Sequence, residues 1–107
     1  MAQRNEKVAN HVKELSAEFL GRENNKTSLI TVTSAICSPD LKRATIFITV
    51  LPTSKEKSAL EFAKRKRLKL REFFKKNMPI KIIPFIDIAI DQGEKNRQKI
   101  DELLREK

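Results

Sequence analysis

Residues 30–51 read ITVTSAICSPDLKRATIFITVL, and their alternation decides the fold. Over 43–51, Ala44, Ile46, Ile48 and Val50 point one way, while Thr45, Phe47, Thr49 and Leu51 point the other. That two-residue period predicts a strand with one packed face. Residues 29–36 predict a second strand: Ile30, Val32 and Ile36 share one face, interrupted by Ser34, and Leu29, Thr31, Thr33 and Ala35 share the other. Between them Ser38-Pro39-Asp40 signals a turn, because Pro fixes φ at the first central position and Asp tolerates the next. So short a connection between two alternating strands makes an antiparallel hairpin.

Upstream, 5–22 predicts a helix, with Val8, Val12, Leu15 and Phe19 in one apolar stripe. Gly21, followed by Asn24 and Asn25, supplies a stop. Downstream, Pro52-Thr53-Ser54 breaks the second strand, and Ser54 is a suitable N-cap for a long helix over 55–77. Leu60 and Ala63 begin the apolar stripe of that helix, and Leu70, Phe73 and Phe74 resume it. Lys66 and Arg67 fall where the stripe should continue, and two charged heads cannot be buried there unpaired. Either their stems snorkel across the edge of the core or the helix bends. Met78-Pro79 ends the helix, and 80–91 predicts a third strand, with Ile80, Ile82, Ile86, Ile88 and Ile90 in alternation. Pro84 within that run argues for an edge position or a bulge. Gln92-Gly93 turns the chain into a last helix over 94–106. The order is helix–strand–strand–helix–strand–helix, an α+β domain with helices on one face of a three-stranded sheet. No repeat or long linker divides residues 1–107, which are read as a single domain.

Charge is concentrated in one place. Formal net charge is +9, and residues 55–81 carry eleven Lys or Arg against three Glu, a local +8. The plain alternative is a solvated helix face, but this imbalance is too large for self-pairing. A positive field gathered on one element is a footprint for a polyanion, and nucleic acid is the commonest one. No apolar run approaches the length of a membrane span, and the N-terminus has no signal-peptide core. The single cysteine cannot form an internal disulfide, which with these absences fits a reducing cytoplasm. No P-loop, Gly-x-Ser-x-Gly elbow or Cys-x-x-Cys pair occurs, and with one cysteine and one histidine no metal or cofactor is expected. Cys37 reads as strand packing and His11 as a helix-flank residue. Asp87 and Asp91 would share a strand face about 13 Å apart, too far for shared-proton chemistry, and read as surface charge on the outer face of the sheet. The six Phe sites read mostly as core, which gives a base-stacking platform little support.

The hairpin carries a resemblance. Ser38-Pro39-Asp40-Leu41, two further residues, Ala44, and the alternating strands on either side resemble the ribosome-binding factor A family. Arg4, Val8-Ala9 and Leu15 in the opening helix are similar to the family pattern. So are Ile83-Pro84 leading into a strand that ends at Asp91, and Gly93 followed by Ile100 and Leu103-Leu104. The resemblance covers essentially the whole chain and implies a type II KH-like fold without a Gly-x-x-Gly loop. With only Gly21 and Gly93, this sequence cannot supply such a loop. It departs from the family near residues 64–68, which contain no glycine where the family kinks its long helix with Ala-x-Gly.

The resemblance implies a non-catalytic ribosome maturation factor. It would bind the immature small ribosomal subunit and its ribosomal RNA, assist late processing, and be a monomer when free. The residues that fit phosphate binding are Lys64, Arg65, Lys66, Arg67, Lys69, Arg71, Lys75 and Lys76, with Lys42 and Arg43 beside the Ser-Pro-Asp turn as a second contact. Lys64, Arg67 and Arg71 share one line along the helix; Lys69 and Lys76 share another. Base-specific reading is not visible, because phosphate contacts carry no sequence information. Two other readings stand beside this one: a module docking its basic helix on an acidic protein, and a nonspecific nucleic-acid binder.

Overall fold

The computed structural model describes residues 2–22, 28–78 and 83–94, with side chains from Glu6 onward in the opening helix. The hairpin is formed as its alternation predicts. Strands β1 (Leu29–Cys37) and β2 (Arg43–Leu51) pair antiparallel, from Leu29 opposite Leu51 to Cys37 opposite Ala44. Ala44, Ile46, Ile48 and Val50 are buried together, so β2 supplies the floor of the core. At the turn, the Leu41 N–H donates to the Ser38 carbonyl at 2.9 Å and the Ser38 N–H to the Arg43 carbonyl at 2.9 Å. Leu41 leaves the turn with φ at 62°. That left-handed conformation costs a leucine roughly 1–2 kcal/mol. Its half-buried side chain packs against the core in return.

One expectation for β1 is corrected. The register slips between Val32, opposite Ile48, and Ser34, opposite Phe47, leaving Thr33 as the extra residue of a β-bulge. An extra residue inverts the facing of everything after it. Ala35 and Cys37 therefore join Ile30 and Val32 against the core, and Ile36 is turned out, 58% exposed. The bulge sits beside Ser34, where the apolar series is broken. The Thr33 hydroxyl donates to Asp91 Oδ2 at 2.5 Å and lies 3.2 Å from the Phe47 carbonyl oxygen.

Helix α1 (Ala2–Arg22) buries Val8, Val12, Leu15 and Phe19, the predicted stripe, and packs chiefly over β1. The long basic helix is two helices. A single 3-10 turn, Thr53–Lys55, leads into α2 (Glu56–Arg65), whose N-cap is Lys55 with no side-chain cap, so Ser54 does not play the capping role expected of it. Lys66, with φ at −91° and ψ at 3°, separates α2 from α3 (Arg67–Asn77). Its N–H bonds to the Ala63 carbonyl at 3.1 Å, and its own carbonyl accepts the Leu70 N–H at 2.9 Å. The bend thus exists without glycine. Its φ is negative, in the sparsely allowed bridge region open to any L-residue, so no Cβ stands in the way. On either side of it Ala59, Ala63, Leu70 and Phe74 stay buried on the sheet.

Strand β3 (Phe85–Ile90) pairs parallel to β2, from Arg43 beside Phe85 to Ile48 beside Ile90, in the order β1-β2-β3. A connection through two helices is long enough to return the chain parallel. β3 is an edge strand and shorter than the predicted 80–91: it begins after Pro84, which has no N–H to give a ladder. Ile80 and Ile82 lie outside the described residues, as does the predicted last helix beyond Glu94.

Candidate nucleic-acid interface

The hairpin tip and the helix bend meet at the start of β3. Tip geometry comes from side chains as well as backbone. Ser38 Oγ accepts the Arg43 N–H at 3.1 Å and lies 2.6 Å from Asp40 Oδ1, which also accepts the Lys42 N–H at 3.0 Å. Those two bonds, the hydroxyl's first, hold the exposed Asp40 carboxyl below its ordinary range. The effect is to present Lys42 and Arg43, both exposed, at a fixed end of the sheet. The neighbouring Cys37 thiol is pushed up, by partial burial and then by the Asp40 charge, which favours its protonated form. Lys42 also passes order to the edge strand, its carbonyl accepting the Phe85 N–H at 2.7 Å.

From the other side come the end of α2 and the start of α3. Arg67 reaches round the sheet edge, its Nη1 3.7 Å from Asp87 Oδ1 and its Nε donating to the Lys64 carbonyl at 3.1 Å. Arg71 donates from Nη2 to the Ile83 carbonyl at 3.1 Å, and its buried Nε has no hydrogen-bond partner among the described residues. These two guanidinium groups tie the bent helix to β3 and to the residues leading into it, as well as carrying charge. Two clefts result. One, of about 480 Å³, is lined by Lys42, Arg43, Ala44, Thr45, Phe85 and Asp87. The other, of about 320 Å³, is lined by Lys64, Arg65, Arg67, Leu68, Arg71, Phe85 and Ile86. Phe85 is the wall they share.

The structure therefore gathers Lys64, Arg65, Arg67 and Arg71 with Lys42 and Arg43 around one residue. The predicted line of Lys64, Arg67 and Arg71 survives the bend. Lys66 is turned elsewhere: half-buried, its Nζ lies 5.5 Å from the centroid of the Phe62 ring. Lys69, Lys75 and Lys76 are exposed but line neither cleft, and Lys75 lies 3.5 Å from Glu72. Asp87 is exposed and partnered by Arg67. Asp91 is not free surface charge on the sheet face: it lies past the end of β3, is half-buried, accepts the Thr33 hydroxyl, and accepts the Glu94 N–H at 2.9 Å.

Sequence reasoning misses Phe85. It groups with core phenylalanines by type, but it is 61% exposed, and Leu68 nearby is 78% exposed. The signal is present in the parity of β3: Ile86 and Ile88 are buried, so Phe85 must face the other way, with Asp87. Among the described residues no group of three or more His, Cys, Asp or Glu could hold a metal ion, and no helix is long and apolar enough to cross a membrane.

A mixed three-stranded sheet backed by helices on one face, with a cationic rim and no Gly-x-x-Gly loop, defines an α+β protein of KH-like class. The sequence profile of the family described as Ribosome-binding factor A matches residues 4–104, and the chain belongs to that family. A ribosome-binding factor A from Macrococcus caseolyticus is 30% identical over the whole of both chains. One from Paenarthrobacter aurescens is 34% identical over 94% of this chain, which spans 62% of that longer relative. Among solved structures, the crystal structure of ribosome-binding factor A from Thermus thermophilus superposes with a TM-score of 0.74 at 16% identity, over 80% of this chain and 93% of that one. A homology model of the Thermus protein, fitted into a cryo-electron microscopy map of its complex with the 30S subunit, gives a TM-score of 0.69 at 16% identity, over 78% and 91% of the two chains.

Proposed function

We propose that this protein binds the immature small ribosomal subunit by its ribosomal RNA and assists late rRNA processing without itself catalysing a reaction. The observation that carries this reading is the convergence of Lys42, Arg43, Lys64, Arg65, Arg67 and Arg71 on the open end of the sheet, in a chain of the ribosome-binding factor A family. The Thermus relative fitted into a 30S complex supports the choice of partner. Phosphate contacts from two separate elements fix the orientation of an RNA segment more firmly than one helix face could. Holding that segment in one arrangement until processing is complete is the activity that such a surface supports. Lys66, Lys69, Lys75 and Lys76 add to the attracting field, and the cleft-lining side chains make the contacts.

Sedimentation of the protein through a sucrose gradient with cell extract tests this. Comigration with free small subunits and not with mature ribosomes is expected. A complex that survives RNase digestion would instead indicate an acidic protein partner. Equal affinity for random duplex DNA would indicate nonspecific binding.

A further inference from the structure

We propose that Phe85 is a stacking platform for an unpaired RNA base, seated between the two arms of the cationic rim; this rests on the RNA-binding reading above. Phe85 opens β3, and its N–H is anchored on the Lys42 carbonyl, so its backbone is fixed. It pairs in register with Arg43, and its neighbour Ile86 is buried, so its side chain leaves the strand on the side opposite Ile86, exposed at the mouth of both clefts. Among the described residues no strand pairs with the outer edge of β3. An exposed phenyl ring costs solubility and gives the fold little, because its side chain is mostly in water. Around it cations predominate: Lys42 and Arg43 in one cleft, where the Asp87 carboxylate is partnered by Arg67, and Lys64 and Arg65 in the other. Exposed Leu68 lines the second cleft with it and adds an apolar flank.

That combination discriminates between forms of nucleic acid. A duplex keeps its base faces buried in the stack, and would offer the ring no planar surface to stack on. A single-stranded or bulged segment presents both chemistries at once: phosphates for the lysines and arginines on either side, and a planar base for the ring between them. Base–aromatic stacking accepts any base, which suits a surface with no visible base-reading groups.

The chain has no Trp and no Tyr, so Phe85→Trp places a single indole at the proposed platform. Its fluorescence is titrated with a short single-stranded RNA and with a fully paired RNA of equal phosphate count. Quenching by the single strand and not by the duplex is expected. Phe85→Leu, which keeps apolar bulk but cannot stack, should bind single-stranded RNA roughly 5- to 100-fold more weakly than wild type. Its salt dependence should be unchanged, and Phe85→Tyr should restore affinity. Because the residue is exposed, all three variants should keep the wild-type thermal midpoint. Unquenched binding, or wild-type affinity in Phe85→Leu, overturns the stacking role while leaving RNA binding intact. Failure of the wild-type protein to bind either RNA or small subunits overturns the RNA reading, and the platform with it.

Discussion

At the scale of single residues, the hairpin tip is where small chemistry fixes a large surface. Ser38 is at once acceptor for Arg43 and neighbour to Asp40, so Ser38→Ala leaves the Arg43 N–H and the Asp40 carboxylate each short of a partner. We expect destabilisation by about 1 kcal/mol in urea unfolding, because a neutral hydrogen bond in a partly wet site is worth about that much. Asp40 adds a pH dependence of known sign. Its folded pKa lies below the ordinary 3.8, so its stabilisation is complete above that value and is lost as pH falls through the lower native value. The advantage of wild type over Asp40→Asn in unfolding midpoint should therefore shrink on acidification from about pH 5 to about pH 2.5. It should also shrink at high salt, since the carboxyl is fully exposed. An advantage that grew on acidification would contradict the assignment. The turn is legible in the sequence because Pro and Asp carry their conformational preferences in their own covalent structure. The left-handed Leu41 is not, because leucine has no such preference, and only the packing of its side chain on the core accounts for it.

At the scale of elements, the sequence marks two irregularities without resolving either, and the second of them shapes the interface. Ser34 interrupts the apolar series of β1, and beside it lies a bulge that inverts the rest of the strand. A break in a period-two pattern has two explanations, a polar residue in a regular strand or a change of phase, and only the partner strand's register separates them. Lys66 and Arg67 interrupt the stripe of the basic helix, and the chain divides there into α2 and α3. Of the two alternatives, snorkelling and bending, the chain bends, and both charged heads also find partners, the Phe62 ring for Lys66 and Asp87 for Arg67. The family places a glycine in this stretch, which makes Lys66→Gly informative. At a negative φ glycine relieves no strain, while it widens the freedom of the unfolded chain and deletes the cation–π interaction. The variant should be less stable by about 1 kcal/mol in thermal or urea unfolding. A stabilised variant would mean that the bend is strained after all. Arg71→Met tests the tie between α3 and the residues leading into β3: removing a charged donor to the Ile83 carbonyl should cost about 1–3 kcal/mol. Unchanged stability would mark that bond as dispensable.

At the scale of the whole molecule, the charge total acquires a place. Net charge and its concentration in residues 55–81 are plain in the composition, but a composition has no geometry. Folding distributes the basic run into cleft-lining residues and others that line neither cleft, and it carries Lys42 and Arg43 to the cleft-lining set from a different part of the chain. The parallel return of β3 beside β2 does this, and that pairing depends on tertiary packing that local periodicity does not encode. On the function proposed above, this assembled rim holds ribosomal RNA by its phosphates. Affinity for immature small subunits, measured across a salt series, tests it most directly. With about five phosphates neutralised, log K should fall with log salt at a slope of about −3.5 to −4.5. Joint replacement of Lys42, Arg43, Lys64 and Arg65 by Gln should weaken binding and flatten the slope by about 0.7–0.9 for each phosphate no longer neutralised. Replacement of Lys69, Lys75 and Lys76 by Gln should weaken binding less and leave the slope unchanged. A flat salt response in the wild-type protein, or a greater drop in affinity from the second set than from the first, would contradict the account.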